Sequence, residues 1–198
     1  MTRRDAIITL GMAGCALVPL TLLAEEKNGS FLIESGNKES RFKIGKDAFL
    51  LRPNSKIALQ HDGIFTQSLS LIGGGAMAVF GGGVKTIQTK TFTAGIRGTG
   101  IYLQEYAPDN VYSCLCYGKA EYRYTDSLEQ FLVMESIYHD QPIQIRKSAS
   151  GKVDYIEFKE PNHDDDELRD LEKMCQREVP FEAFLQEQKL KGISGHSY

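Results

Sequence analysis

The sequence predicts an all-β domain, a short-stranded β-roll or β-sandwich, with a small C-terminal helical segment packed on it. Short runs of alternating apolar and polar residues fill positions 30–125, and turn-forming residues separate them roughly every ten positions. From residue 163 the apolar residues recur instead at helical spacing. The 198-residue chain is 41% hydrophobic and 25% charged, which is typical of one globular domain with a core.

Residues 1–24 are predicted to be an export signal that resembles the twin-arginine type. Arg3 and Arg4 precede an apolar run over Ala6–Ala24, and acidic residues follow it. The run contains glycines and a proline and is close to the lower length limit for crossing a bilayer. We therefore expect a periplasmic protein cleaved at the end of this run. Retention as an inner-membrane anchor and lipidation at Cys15 are the alternatives.

The first strands are predicted over residues 30–88. Phe42 and Ile44 share a strand face before a turn at Gly45, and Leu69 and Leu71 share a face later in the chain. Two glycine triplets, 73–75 and 81–83, flank a strand of small residues. Because no GK[ST] sequence or helix follows either triplet, we interpret them as tight bends rather than phosphate-binding loops.

Residues 126–160 are predicted to extend the sheet as a β-hairpin. Ile143 and Ile145 lie on one arm, Val153 and Ile156 lie on the other, and the turn falls at residues 148–152. The stretch 127–136 fits a short helix or a strand equally well.

Residues 163–190 are predicted to form the helical segment. Asp164 stands at an N-cap position, and Glu167 occupies the third helical position, as in a capping box. Leu168 and Leu171 then begin an apolar stripe, and Pro180 ends the first helix or starts the next. A calcium loop at "HDDDE" is disfavoured because the glycine and the spaced oxygen ligands are missing.

The stretch "TKTFTAGIRGTGIYLQEY", residues 89–106, resembles the signature of the FecR-type periplasmic domain, in which a Thr-rich strand leads into a Val/Ile-Arg-Gly-Thr core and an alternating strand. "FKIGKDAFLLRPNSKIAL" upstream and "SCLCYGKAEYRY" downstream fit the same family's strand order, so the resemblance covers about residues 35–125. It implies that residues 30–125 form an exported all-β module that is not an enzyme and acts in signalling as a sensory, scaffold or binding domain, with an envelope protein as its partner.

The best-known members of that family relay receptor occupancy to a cytoplasmic segment that controls a sigma factor. In this sequence the apolar run already starts at Ala6. We therefore expect no sigma-factor binding, and contact with a membrane only through the N-terminal segment if it stays attached.

Arg97, Gly98 and Thr99 form the core of the resemblance, and we interpret them as structural. An arginine in an apolar strand cannot lose its charge, so its burial requires carbonyl or carboxylate partners. Gly95 and Gly100 leave room for backbone to approach the guanidinium. An anion-binding site is the alternative.

Cys114 and Cys116 form the most chemically suggestive pair in the sequence. Residues two apart in a strand share a face, so both sulfur atoms project the same way. With His139 and His163 nearby, they could bind a soft or borderline ion such as zinc or copper. The spacing matches no standard zinc module, so this site is a candidate only.

The alternative for these cysteines involves no cofactor: one packs in the core and the other pairs with Cys175. If a metal does bind, Asp140 and Asp164, which follow the two histidines, are the expected outer groups.

Other function classes find little support. The net charge is −3 and no basic face stands out, which argues against nucleic acid. We find no nucleophile elbow or catalytic triad order. A non-enzymatic binding module is therefore the leading prediction, and a small metal-binding or redox protein that uses the two cysteines is the second.

Overall fold

A computed structural model describes residues 22–27, 30–61, 66–125, 127–158 and 162–191, and side chains are described from Ser30 onward except at 126–130. Within these ranges thirteen strands form one sheet, and two helices follow them. The predicted all-β fold with a small C-terminal helical segment is confirmed. No helix in the described ranges has the length and apolar character needed to cross a membrane.

The elements follow one another along the chain as listed here: β1 Leu22–Lys27, β2 Ser30–Ser35, β3 Ser40–Ile44, β4 Asp47–Leu51, β5 Lys56–His61, β6 Thr66–Gly73, β7 Gly75–Val79, β8 Val84–Gln88, β9 Phe92–Ala107, β10 Asn110–Tyr124, β11 Ser127–Ser136, β12 Gln141–Lys147, β13 Val153–Glu157, α1 Asp165–Met174 and α2 Glu182–Leu190.

The long antiparallel hairpin of β9 and β10 is the spine of the sheet. The first half of β9 pairs with β8 and its second half with β7. The first half of β10 pairs with β12 and its second half with β11. The path β1-β2-β5-β6-β8-β9-β10-β12-β13 therefore carries a branch, β3-β4-β7, beside the second half of β9. The hairpin bends where its partners change.

Glycines make this bend possible. Gly98 and Gly118 have φ angles of +57° and +99°, in the left-handed region that side chains rarely adopt. The pairing of β9 with β10 also shifts register around Tyr117, as in a β-bulge. A Cβ atom at Gly118 would lie 2.5 Å from the carbonyl oxygen of Gly98, and one at Gly100 would lie 2.4 Å from the ring of Tyr117.

Arg97 is exposed, so the expectation that its guanidinium is buried among carbonyls or carboxylates is wrong. It lies in β9 opposite Lys119 of β10, one residue before the bend. Thr99 is buried, and its hydroxyl donates to the carbonyl oxygen of Lys119 at 3.3 Å. The charge therefore stays in water, and the glycines around it serve the bend of the backbone.

A first core cluster lies within the strands. Its members come from both arms of the spine and from the strands beside them, and they include Ile33, Phe42, Phe49, Leu59, Leu69, Leu71, Ile101 and Tyr122. The alternation that places Leu69 and Leu71 on one buried face is therefore confirmed.

A second core cluster lies between the sheet and the helical segment. Leu168, Leu171 and Phe181 pack there against Met77 and Tyr112 of the sheet. The predicted capping box is present, because Asp164 accepts from the backbone of Glu167 and the Glu167 side chain accepts from the backbone of Asp164.

The structure decides between helix and strand for the residues that follow β10. Residues 127–136 form strand β11, not a helix, and the predicted hairpin is present as β12 and β13.

Residues 1–21 of the predicted export signal lie outside the described residues, and 22–24 begin β1, which pairs with β2. Export and the cleavage position stay predictions.

Candidate metal centre

The structure brings together all four residues of the predicted metal site. One ligand atom from each of Cys114, Cys116, His139 and His163 lies within 4.8 Å of the others, and all four side chains are buried. Three separate parts of the chain supply them: strand β10, the turn between β11 and β12, and the residues before α1.

Cys114 and Cys116 lie on β10 where the spine begins to bend. Leu115 pairs with Ile101 and Tyr117 pairs with Gly100, so Cys116 is the extra residue of a bulge. Both cysteines have no exposed surface, and the Cys116 thiol donates to the carbonyl oxygen of Cys114 at 3.6 Å.

His139 lies in a tightly hydrogen-bonded turn. Its backbone N–H donates to the carbonyl oxygen of Cys116 at 2.9 Å, which ties the turn to the strand of the two thiols. Asp140 accepts from the backbone N–H groups of Ile137 and Tyr138 at 2.7 and 3.1 Å. The φ angle of His139 is +49°, an unusual backbone conformation that non-glycine residues adopt chiefly at turns and functional sites.

His163 stands directly before the N-cap of α1. Its ring stacks on the ring of Tyr102, with centroids 4.5 Å apart and planes 9° apart. Its Nδ1 atom lies 3.1 Å from Oδ1 of Asn162, and its ring lies 5.2 Å from that of His139. Since Nδ1 faces Asn162, Nε2 is the atom that His163 offers to a metal.

Arg52 holds the start of the helical segment against the sheet. Its guanidinium donates to both carboxylate oxygens of Glu167, at 2.5 and 2.7 Å, and to the carbonyl oxygen of Asn162 at 2.5 Å. It also lies over the ring of Tyr102, 5.4 Å from the centroid. The hydrogen bond to Asn162 and the ion pair with Glu167 position the backbone on either side of His163.

Asp165 is the group that orients His139. The Nδ1 atom of His139 lies 3.3 Å from the sulfur of Cys114, and its Nε2 atom lies 3.3 Å from Oδ1 of Asp165. The hydroxyl of Tyr138 donates to Oδ2 of the same carboxylate at 2.8 Å. A histidine held in this way by a carboxylate is common around metal ions.

Asp140 and Asp164, the two aspartates expected to support the histidine ligands, make other contacts, so this part of the prediction is wrong. Asp140 accepts from the backbone of its own turn, and Asp164 caps α1. The sequence offers three consecutive aspartates at 164–166, and only the helix geometry shows which of them faces the sheet. Arg52 and Tyr102 could not have been found from local motifs because they lie far from the histidines in sequence, directly after β4 and within β9.

The electrostatics of the four side chains favour one thiolate. Burial alone would raise the pKa of Cys114, but hydrogen bonds from Cys116, His139 and His163 outweigh it and hold that pKa well below its usual value. Burial, followed by the hydrogen bond with Cys114, raises the pKa of Cys116 well above its usual value. The two thiols therefore titrate as a pair that shares one proton.

His139 and Asp165 behave as an ion pair beside that thiolate. Burial would lower the pKa of His139, but hydrogen bonds with Asp165 and Cys114 raise it to about 9. Burial would likewise raise the pKa of Asp165, yet hydrogen bonds from His139 and Tyr138 lower it. Without a metal, the buried site therefore holds a thiolate, a protonated imidazole and a carboxylate close together. A metal cation could replace the protons on the thiol and the imidazole.

The four ligand atoms match a tetrahedral ion in type, and their spacing is somewhat wider than such an ion requires. Zn–S and Zn–N bonds of about 2.3 and 2.0–2.1 Å require ligand atoms about 3.3–3.8 Å apart. The observed limit of 4.8 Å means that the ligands need to close by roughly an ångström. A tetrahedral ion with four protein ligands keeps no position open for a substrate, which makes such a site structural.

Cys175 lies outside the cluster, at the C-cap of α1. The three cysteines of the described ranges are all free thiols. The structure therefore does not show the alternative in which Cys175 pairs with one of the other two.

Two solved structures are similar to this chain in fold. Both are crystal structures of a "putative anti-sigma factor" from Parabacteroides distasonis, at 2.50 and 1.65 Å resolution. Each is 12% identical in sequence, with TM-scores of 0.52 and 0.50, and the matches cover 65% and 64% of this chain. The matches cover only 60% and 59% of the length of those two proteins. Because the sequence identity is low, the similarity shows the fold alone.

No protein-family model matches the chain, and neither does any curated protein.

Proposed function

We propose that this chain is an exported, non-enzymatic β-domain of the FecR type in which Cys114, Cys116, His139 and His163 bind a structural zinc ion. The observation that carries this proposal is the convergence of the four buried ligand atoms within 4.8 Å from three parts of the chain. Two thiols and two imidazoles are a common ligand set of structural zinc sites.

The charge of the site favours zinc over monovalent copper. A Zn²⁺ ion bound to two thiolates and two neutral imidazoles is neutral, whereas Cu⁺ with the same ligands carries one negative charge. Asp165 adds another negative charge, and Arg169 lies 3.6 Å from it as a counter-ion. Because an uncompensated charge is costly in a fully buried place, the neutral zinc complex is favoured.

The role in envelope signalling is supported by the fold and by the motif around Arg97. The two similar structures are of proteins named as "putative anti-sigma factor". The FecR-type resemblance covers about residues 35–125. We propose a periplasmic sensory or scaffold module whose partner is an envelope protein, and the zinc ion stabilises the fold of that module.

Metal analysis tests the first part. The chain is exported to the periplasm without a histidine tag, purified, and analysed for zinc and copper by mass spectrometry. We expect one zinc ion per chain, and replacement by Co²⁺ should give the visible absorption of a tetrahedral thiolate site. Cys114→Ser should lose both signals, whereas Cys175→Ser, the matched control outside the cluster, should keep them. Protein that holds no metal would contradict the proposal.

Export and partnership are tested separately. Fusion of residues 1–24 to a reporter that is active only in the periplasm should give activity, and the double variant Arg3→Lys and Arg4→Lys should lower it. Cross-linking in intact cells should then join the exported chain to an envelope protein. A fusion that is produced but gives no reporter activity would contradict the periplasmic role without affecting the metal site.

A further inference from the structure

The zinc ligands are divided between two parts of the molecule. Cys114, Cys116 and His139 belong to the sheet and its turns, whereas His163 belongs to the C-terminal segment of residues 162–191. That segment also supplies Asp165, which orients His139. A bound ion therefore joins the segment to the sheet.

Few apolar side chains of the segment are fully buried. None of the side chains of α2 is fully buried, and α1 buries only Leu168 and Leu171 together with the charged Glu172. Val179 and Phe181 between the helices are also buried. The remaining apolar contacts come from partly buried side chains: Met174, Cys175, Phe184 and Leu185.

Docking also places polar groups in the interface. His163 is 5% exposed and His139 is 4% exposed when the segment is in place, and the buried carboxylate of Glu172 must be satisfied by Tyr117 and Arg177. Burying such groups opposes the gain from the apolar contacts. In metal-free protein, the free-energy difference between the docked and undocked states of residues 162–191 is therefore smaller than the burial of the leucines alone would give.

We propose that metal binding controls the docking of residues 162–191 onto the sheet, so that the segment is docked only part of the time in metal-free protein and is held in place when the ion binds. This inference rests on the proposed zinc site. Since the cysteines have no exposed surface in the docked form, the ion enters while the segment is away from the sheet. Docking and metal affinity must then be linked reciprocally.

Hydrogen exchange tests the first consequence. The amides of α1 in the exported chain are compared with and without one equivalent of Zn²⁺, and the metal content of each sample is measured. We expect zinc to slow exchange over residues 165–175, while β5 and β6, whose buried apolar side chains lie in the first core cluster, exchange at the same rate in both samples. If zinc is bound but the α1 amides exchange as fast as in the metal-free sample, the inference is overturned. The proposed zinc site is unaffected by that result.

The reciprocal consequence is tested with a variant that touches no ligand. Leu168→Ala removes a fully buried contact between segment and sheet, so it should weaken zinc binding by about 5- to 150-fold. Leu59→Ala is the matched control, since it makes the same change in the first core cluster, away from the segment. It should destabilise the sheet and leave zinc affinity unchanged. If Leu168→Ala does not fold, Val179→Ala is a milder change in the same interface.

Three outcomes are distinguishable. Weaker zinc binding in the Leu168 or Val179 variant, with normal binding in the Leu59 variant, supports metal-controlled docking. Equal zinc affinity in all variants, or an equal loss in the Leu59 variant, overturns it while the metal site remains. Wild-type protein that binds no zinc overturns the proposed function and this inference together.

Discussion

The Nε2 atom of His139 lies 3.3 Å from Oδ1 of Asp165, so a carboxylate from the helical segment faces an imidazole from the sheet. The other nitrogen of the ring lies 3.3 Å from the sulfur of Cys114. The ring is therefore held in one orientation from both sides, and Nδ1 is the atom that would bind the proposed zinc ion.

Replacing Asp165 by asparagine should weaken zinc binding by about 10- to 100-fold, because the amide no longer supports the charge and orientation of the imidazole. Competition with a zinc-binding dye measures the affinity. Asp166→Asn is the control, since this neighbour has 88% of its side chain exposed and pairs only with Arg169 among the contacts described. Equal affinities in the two variants would show that Asp165 does not orient the ligand.

Zinc should raise the thermal stability of the wild-type chain. At a free zinc concentration a thousand times its dissociation constant, binding adds about 4.1 kcal/mol to the free energy of unfolding. For a chain of this size that corresponds to an increase in Tm of about 8–16 °C. Scanning calorimetry with zinc and with a chelator measures the shift. Cys116→Ser should show the same Tm under both conditions, and a zinc-dependent shift in that variant would place the ion elsewhere.

Gly118→Ala should destabilise the sheet strongly. The φ angle of +99° alone costs an alanine about 1–3 kcal/mol, and the added Cβ would lie 2.5 Å from a carbonyl oxygen that cannot move freely. Urea denaturation measures the change in the free energy of unfolding. Gly95→Ala is the matched control in β9, because no atom lies within 4 Å of its added Cβ. It should be neutral or stabilising by up to about 1 kcal/mol, as expected for alanine in a strand.

Arg97→Ala should leave the free energy of unfolding within about 0.5 kcal/mol of the wild type, because the side chain is exposed. Urea denaturation again measures it. A loss of several kcal/mol would indicate that the guanidinium carries a structural contact after all. If the exposed Arg97 side chain binds the proposed envelope partner, the same variant should lose cross-links to that partner while remaining folded.

The sequence allowed the strands and the capped helix to be predicted because their signals are local. Alternation placed Leu69 and Leu71 on one buried face, and the capping box marked the start of α1. The stretch 127–136 was ambiguous since its strand character depends on pairing with β10. Arg97 was misplaced because apolar neighbours in a strand do not show which face a residue occupies when a bend with register shifts lies beside it.

The cluster of the four proposed metal ligands was predictable in its residues but not in its surroundings. Cysteine and histidine are few in this chain, so their types alone suggested the ligand set. The stacking of His163 on Tyr102 and the contact of Asp165 with His139 depend on how the helical segment docks. Those contacts link residues far apart in sequence, and no local pattern encodes them.

The hairpin of β9 and β10 has a consequence for the order of folding. Its strands are neighbours in sequence and are joined by a short turn, so their pairing closes a small loop and can form early. His163 lies much later in the chain and reaches the sheet only when the last segment docks. We therefore expect Cys114 and Cys116 to be placed on the forming sheet before the last segment covers them, and both sulfur atoms to be open to oxidants as well as to metal ions during that interval.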